Sequence, residues 1–214
     1  MDNSVQLLGV YGGDLEHSAS AWTSTSRHLN EDKLARIPSL IRMLAKAGHH
    51  SPFEKSSLHF LVTCEDASHI HLLKHRIGVS INSESARYKE LKDDKYYVPQ
   101  DWPPVLKVYL DEICKRNIKI YHDLIEMLVN GGMDRKRAKE SARFILPKAN
   151  QLTLDVMFNW RSFAHFCGLR RKKEAQLEIH NIANEMLRLV KEIPENPFRF
   201  TIEAFEEAGL LGYE

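Results

Sequence analysis

Apolar residues recur along this chain with two periods, and those periods mark most of its elements. Val5 to Gly12 is a short apolar run closed by the Gly12-Gly13 pair, which predicts a first strand and a turn. From Leu34 the apolar positions Ile37, Leu40, Ile41, Leu44 and Ala45 follow helical spacing, and Gly48 stands where a helix end needs its cap. Ser57 to Thr63 reads as a strand, and Glu65 to Lys74 as a short helix opened by acidic residues and closed by cationic ones. A long helix is predicted from about Val105 to Leu128, ended by Gly131-Gly132, and Asp134 is placed to cap another that runs to about Ile145 before Pro147. Leu152 to Asn159 fits either a strand or a helical turn. Glu174 to Ile193 is an amphipathic helix stopped by Pro194, and Ile202 to Ala208 a short terminal one. Two stretches carry no period. Ser18 to Ser26, small and hydroxylic around Trp22, is a turn or faces a ligand, and residues 89–103, with prolines at 99 and 103, form a surface loop.

Strands interleaved with helices, without a repeat or a dividing linker, predict one α/β (α+β) domain over residues 1–214, with a central, mostly antiparallel sheet flanked by long helices. Composition narrows the function. Thirty basic and 29 acidic side chains leave a net charge of +1, so a general nucleic-acid binder, which needs a basic excess, is not expected. Cys64, Cys114 and Cys167 are odd in number and widely spaced, which disfavours a disulfide framework or a structural zinc and fits a reducing cytoplasm. Neither a signal peptide nor a membrane-spanning apolar run is evident.

Chemistry concentrates between His71 and Tyr88. Lys74, His75 and Arg76 follow an apolar segment, and a hydroxyl-rich run then closes on Arg87 and Tyr88. Guanidinium forks, a lysine charge and serine hydroxyls suit phosphate, although the same cluster at a helix end can be a solvated terminus favoured by the helix dipole. Arg143, Arg161 and Arg170 join Arg76 and Arg87 as arginines outside any solvated helix stripe. Each is either a surface ion pair or part of a pocket for a dianionic small molecule. No histidine pair has metal-ligand spacing, so no metal is expected, and neither a nucleophile elbow, a Walker loop nor a dinucleotide glycine fingerprint occurs.

Three blocks resemble the flavin-dependent thymidylate synthases. Gly48-His49-His50-Ser51-Pro52-Phe53-Glu54 is similar to the family's G-H-x-[ST]-P-F-E-H segment. Lys74-His75-Arg76 through Ser85-Ala86-Arg87-Tyr88 is similar to its signature of R-H-R, seven residues, S, x-R-Y. Ala142-Arg143-Phe144-Ile145-Leu146-Pro147, then Asn159, Arg161, Gly168-Leu169-Arg170 and Ala175 to Ile179, follow the order of its C-terminal half. The resemblance implies an enzyme that makes dTMP from dUMP, with methylenetetrahydrofolate as carbon donor, NADPH as reductant and bound FAD, and without a cysteine nucleophile. It also implies a homotetramer with active sites between subunits.

Carried onto this sequence, the resemblance makes Arg170 the catalytic arginine that stabilises the ionised uracil. It gives Ser85, Arg87 and Arg143 to dUMP, with Lys74, His71 and Glu84 beside them. Lys74, His75, Arg76, Asn159 and Arg161 fall at flavin positions, joined by Ser24, His49, Ser51, Ser83 and His165. The chain departs from the pattern in places. Lys74 replaces the first arginine of the signature, His71 stands where a glutamine is common, and Glu174 where a histidine often lies. Eight residues rather than seven separate Arg76 from Ser85, which puts an extra residue near Gly78-Val79 and shifts a family acidic position onto Ser83. The altered loop motivates one alternative, a related flavin-dependent C5 methylase or hydroxymethylase of a pyrimidine nucleotide; another is a catalytically silent nucleotide- or flavin-binding homologue, against which the retained Arg87, Arg143 and Arg170 speak.

Overall fold

The structure, a computed structural model, describes residues 2–85 and 95–212. In chain order it contains β1 (Ser4–Tyr11), α1 (Asp14–Trp22), α2 (Glu31–Ala35), α3 (Ile37–Lys46), β2 (Ser57–Glu65), α4 (Asp66–Leu73), β3 (Val79–Ser83), α5 (Pro104–Asn130), α6 (Arg135–Ala142), β4 (Gln151–Phe158), α7 (Trp160–Arg170), α8 (Leu177–Lys191) and α9 (Arg199–Glu207). The expected α+β class holds: among the described residues the four strands form one sheet in the order β1-β2-β4-β3. Thr63 bonds to Thr153 and His59 to Asp155, so numbers fall along β4 as they rise along β2, and the pair is antiparallel.

Several boundaries differ from the periodicity. Ser18–Ser26 is mostly α1, because its small residues pack closely and His17, Ser18 and Trp22 are buried. The helix expected from Leu34 is two, since Pro38 opens a new one in its first turn. Gly48, in the left-handed region at φ 72°, ends it as expected. Residues 171–176 precede α8 rather than starting it, so Glu174 lies in an exposed turn. Residues 151–158 resolve as strand, with Leu154, Val156 and Phe158 fully buried at alternate positions. Helix α7 had no predicted counterpart, because a helix buried on most sides lacks a polar stripe to reveal its period: six of its 11 residues are buried. The short strand β3 was also unassigned.

The chain divides into two compact units. The larger comprises Val5–Val62, Leu73–Ile81 and Asp155–Glu214. Its core is aromatic: Phe60 and Phe158 from the sheet meet Phe163 and Phe166 of α7, and Trp160 stacks on Phe198 with centroids 5.4 Å apart. A buried polar chain ties its distant parts together. Thr201 donates its hydroxyl to Asp14, so it accepts from His17 Nδ1, and His17 Nε2 in turn accepts from the Ser56 hydroxyl at 2.8 Å. Gly13 closes this corner, because a Cβ there would lie 2.4 Å from the Pro197 carbonyl oxygen.

The smaller unit comprises Met1–Ser4, Thr63–Leu72 and Asn82–Leu154. Helices α5 and α6 enclose Tyr121, Ile125, Ala138 and Ala142 in a core of their own. Asp134 caps α6 as expected, accepting from Lys136 and Arg137 backbone N–H groups. Among the described residues no helix is long and apolar enough to cross a membrane.

Candidate functional site

Within the larger unit the candidate residues gather on α7 and on the segment that leads from α4 to β3. Asn159 caps α7, accepting from Ser162 N at 2.9 Å, so the helix has a fixed start. The segment is strapped to that start. Ser162 Oγ donates to the Ile77 carbonyl at 2.6 Å, and Asn159 N donates to Gly78 O at 3.0 Å. Gly78 adopts φ 67°, and a Cβ there would meet Asn159 Nδ2 and Ser162 Oγ at 2.3 Å. Only glycine fits, which gives the position next to the suspected insertion a physical constraint.

The Lys74-His75-Arg76 triplet acts in two directions. Residues 75 and 76 lie past the end of α4, where Lys74 and Arg76 are exposed and His75 is buried, only 8% exposed. His75 packs edge-on against Phe166, with centroids 5.1 Å apart, and 5.8 Å from His165. Its Nε2 accepts from Arg170 Nε at 3.1 Å. Phe166 and Arg170 are four residues apart on α7 and share a face, which is how one inward side chain touches both. Arg170 is half-buried at the last turn of α7. Desolvation lowers its pKa from the usual guanidinium value, the mark of a cation partly stripped of water.

The other expected residues of this unit are less concentrated. Arg161 is exposed and pairs with Glu54 at 2.6 Å, so it is at present a surface ion pair. His165, His49 and Ser51 are exposed, and Ser24 donates its hydroxyl to the Ala21 carbonyl at 3.0 Å just past α1. Lys74 and Arg76 have no carboxylate partner among the described residues. The set of exposed donors Lys74, Arg76, Arg161 and His165 suits a group carrying phosphates, including a flavin dinucleotide.

The smaller unit holds the rest. His71 lies half-buried on α4, Ser83 ends β3, Ser85 follows it, and Arg143 is exposed in a 3-10 turn after α6. Glu84 extends the pairing of β3 with β4: its N–H donates to Thr153 O at 2.9 Å and its carboxylate accepts from Thr153 N at 3.0 Å. That gives Glu84 a structural bond which the sequence did not disclose. Arg87 lies outside the described residues. The three thiols are buried, and burial raises the pKa of each, Cys167 to about 12, so none is a ready thiolate nucleophile.

Glu54 and Phe166 were not anticipated as neighbours of the site. Glu54 belongs to the Gly48–Glu54 motif, and its carboxylate is the one signal there for an arginine partner. Nothing in the sequence signals the contact of His75 with Arg170, whose positions differ by 95.

Fold and side chains together define an α+β protein with exposed cationic and histidine side chains on α7 and on the segment before β3, suited to a phosphorylated ligand. The family described as "Thymidylate synthase complementing protein" matches residues 10–195, and the chain belongs to it. The flavin-dependent thymidylate synthase of Clostridium tetani is 30% identical over 187 residues, covering 82% of this chain and 74% of that one. The protein of the same name from Mycolicibacterium vanbaalenii is 31% identical over 167 residues, covering 72% and 66%. Among solved structures, a UMP/dUMP methylase, PolB from Streptomyces cacaoi bound with 5-Br dUMP, superposes with a TM-score of 0.79 at 27% identity, covering 99% of this chain and 98% of that one.

Proposed function

We propose that this protein is a flavin-dependent thymidylate synthase, methylating C5 of dUMP with methylenetetrahydrofolate as carbon donor and NADPH as reductant. Membership of the family across residues 10–195, a span that contains every residue given a role, carries the reading. In the balance, C5 loses its proton, the methylene carbon becomes the methyl group with two electrons from NADPH, and the folate leaves as tetrahydrofolate. Bound FAD would supply the electron relay.

The chain's own residues do the rest. Arg170 stands as a fixed cation for the negative charge that develops on the uracil ring, an electrostatic role that a partly desolvated guanidinium performs better than a solvated one. Lys74, His75, Arg76, Arg161, Asn159 and His165, with Ser24, His49, Ser51 and Ser83, are assigned to the flavin; Ser85, Arg87 and Arg143, with Lys74, His71 and Glu84, to dUMP. For Arg161 the assignment requires the Glu54 pair to open, which costs little for a half-exposed ion pair. The single domain over 1–214 assembles as a homotetramer with active sites between subunits. Supporting assembly, Val105, Val108 and Tyr109 form an i, i+3, i+4 stripe at the start of α5 with exposures of 73, 58 and 63%. Three free cysteines favour the cytoplasm.

A second reading is a methylase that accepts UMP as well as dUMP. It is favoured by the superposition with PolB over almost the whole of both chains, and by the extra residue between Arg76 and Ser85. Tritium release from C5-labelled dUMP and UMP, with methylenetetrahydrofolate, NADPH and FAD present and product mass determined, decides between them. Release from dUMP with a product heavier by one methylene is expected. Release from both nucleotides selects the second reading, and a protein that takes up no FAD and releases no tritium removes both.

A further inference from the structure

The contact between His75 and Arg170 has a chemistry that fixes the state of both. Arg170 Nε carries a hydrogen and points at His75 Nε2 at 3.1 Å. A guanidinium nitrogen only donates, so Nε2 must offer a lone pair. The imidazole is therefore neutral and holds its proton on Nδ1. An imidazolium would have no lone pair there and would set two cations in contact.

We propose that His75, beside its assigned place at the flavin, is a positioning residue for Arg170, acting through the guanidinium; the proposal rests on the catalytic role given to Arg170 above. The imidazole is 8% exposed, wedged on the Phe166 ring, and its Nε2 is already occupied. It occupies the Nε donor of Arg170 and so sets the plane of the guanidinium. The histidine is itself held by its backbone. The segment carrying it is strapped to the start of α7 through Ile77 and Gly78, while the side chain reaches the end of the same 11-residue helix. The strap fixes the segment at the start of the helix and the histidine meets its end, and an arginine held in this way loses little further entropy when it meets the developing charge. Lys74 and Arg76, on either side of His75, point outward and keep the ligand contacts of the signature.

The test uses the full-length protein in two arms. In the first, nitrogen-15 NMR of the ligand-free protein labelled at histidine and arginine reads the tautomer directly. A lone-pair Nε2 signal for His75, with a coupling across the hydrogen bond to Arg170 Nε, is expected. A proton on Nε2 overturns the proposal whatever reaction the protein catalyses. In the second, His75→Gln, whose side-chain carbonyl can accept in place of Nε2, is compared with His75→Phe, which fills the space without an acceptor. With FAD loaded, His75→Phe should lower kcat by on the order of tenfold to a hundredfold, with KM for dUMP nearly unchanged, and His75→Gln should restore most of the loss. Equal kcat in the two FAD-loaded variants overturns the positioning role. Should His75→Phe fail to fold, the NMR arm and His75→Gln still decide. An unmodified protein that releases no tritium would sink the assigned reaction and leave the tautomer measurement standing.

Discussion

At the scale of single residues, two positions set the candidate site apart from ordinary surface. Arg170 is the only arginine assigned to it whose guanidinium is both partly desolvated and held by a buried side chain among the described residues. Arg170→Ala is expected to retain FAD, seen as unchanged flavin absorbance after gel filtration, and to lose about 10²-fold or more in kcat, the usual consequence of removing a donor aimed at developing charge. Full turnover would strip Arg170 of its role. Gly78 is the second position. Gly78→Ala forces a methyl group within 2.3 Å of Asn159 and Ser162 at φ 67° and should cost about 1–3 kcal/mol in urea unfolding, together with weaker FAD uptake as the strap shifts. A neutral effect would mean that the strap relaxes freely. The sequence named these residues but not their relations. Lys74-His75-Arg76 reads as one cationic cluster, and only the direction in which each side chain leaves the backbone separates two solvent-facing cations from a buried acceptor.

At the scale of elements, α9 is started by a residue nearly two hundred positions away. The Asp14 carboxylate accepts from Phe200 N, Thr201 N and the Thr201 hydroxyl. Burial raises its pKa, while the three hydrogen bonds pull the other way. Asp14→Ala strands buried N–H groups at the helix start and should lower unfolding free energy by about 1–3 kcal/mol. A loss under half of that would show that water takes over the capping. His17, in the same chain of bonds, gives a pH dependence. Burial pushes its pKa down from 6.5 to about 3, so between those values the unfolded chain binds the proton that the folded one refuses. Stability should fall as pH drops through this window, by up to about 1.4 kcal/mol per pH unit, until Asp14 opposes it near the lower end. Thermal melts of the protein and of His17→Gln across that range check the sign; equal slopes in the two would refute it. Periodicity found α3, α5, α6, α8 and α9 because each has a wet and a dry face. It missed α7, the element that carries Arg161, His165 and Arg170, because that helix is buried on most of its circumference.

For the whole molecule, the near-neutral charge of +1 does not supply the basic excess that a general nucleic-acid surface needs. The apolar stripe at the start of α5 belongs at this scale. Tyr109→Glu, which places a charge within it, should reduce the mass measured by sedimentation without altering the far-ultraviolet circular dichroism, while tritium release falls because the proposed active sites lie between subunits. An unchanged mass would remove this stripe from the assembly. Family membership, read from three motif blocks, held over residues 10–195, and the α+β class followed from strands and helices interleaved along the chain.

What the sequence determined by itself was local or additive: strand and helix periods, the Asp134 and Gly48 caps, the charge balance, and the order of motifs that names the family. Each depends on neighbours a few residues apart, or on composition. The tertiary structure alone decided that His75 faces inward to accept from Arg170, that Glu84 bonds to Thr153, that Arg161 pairs with Glu54, and that Asp14 caps α9. Those relations join residues 69 to 187 positions apart. A hydrogen bond is set by distance and direction in space, and a linear pattern carries neither.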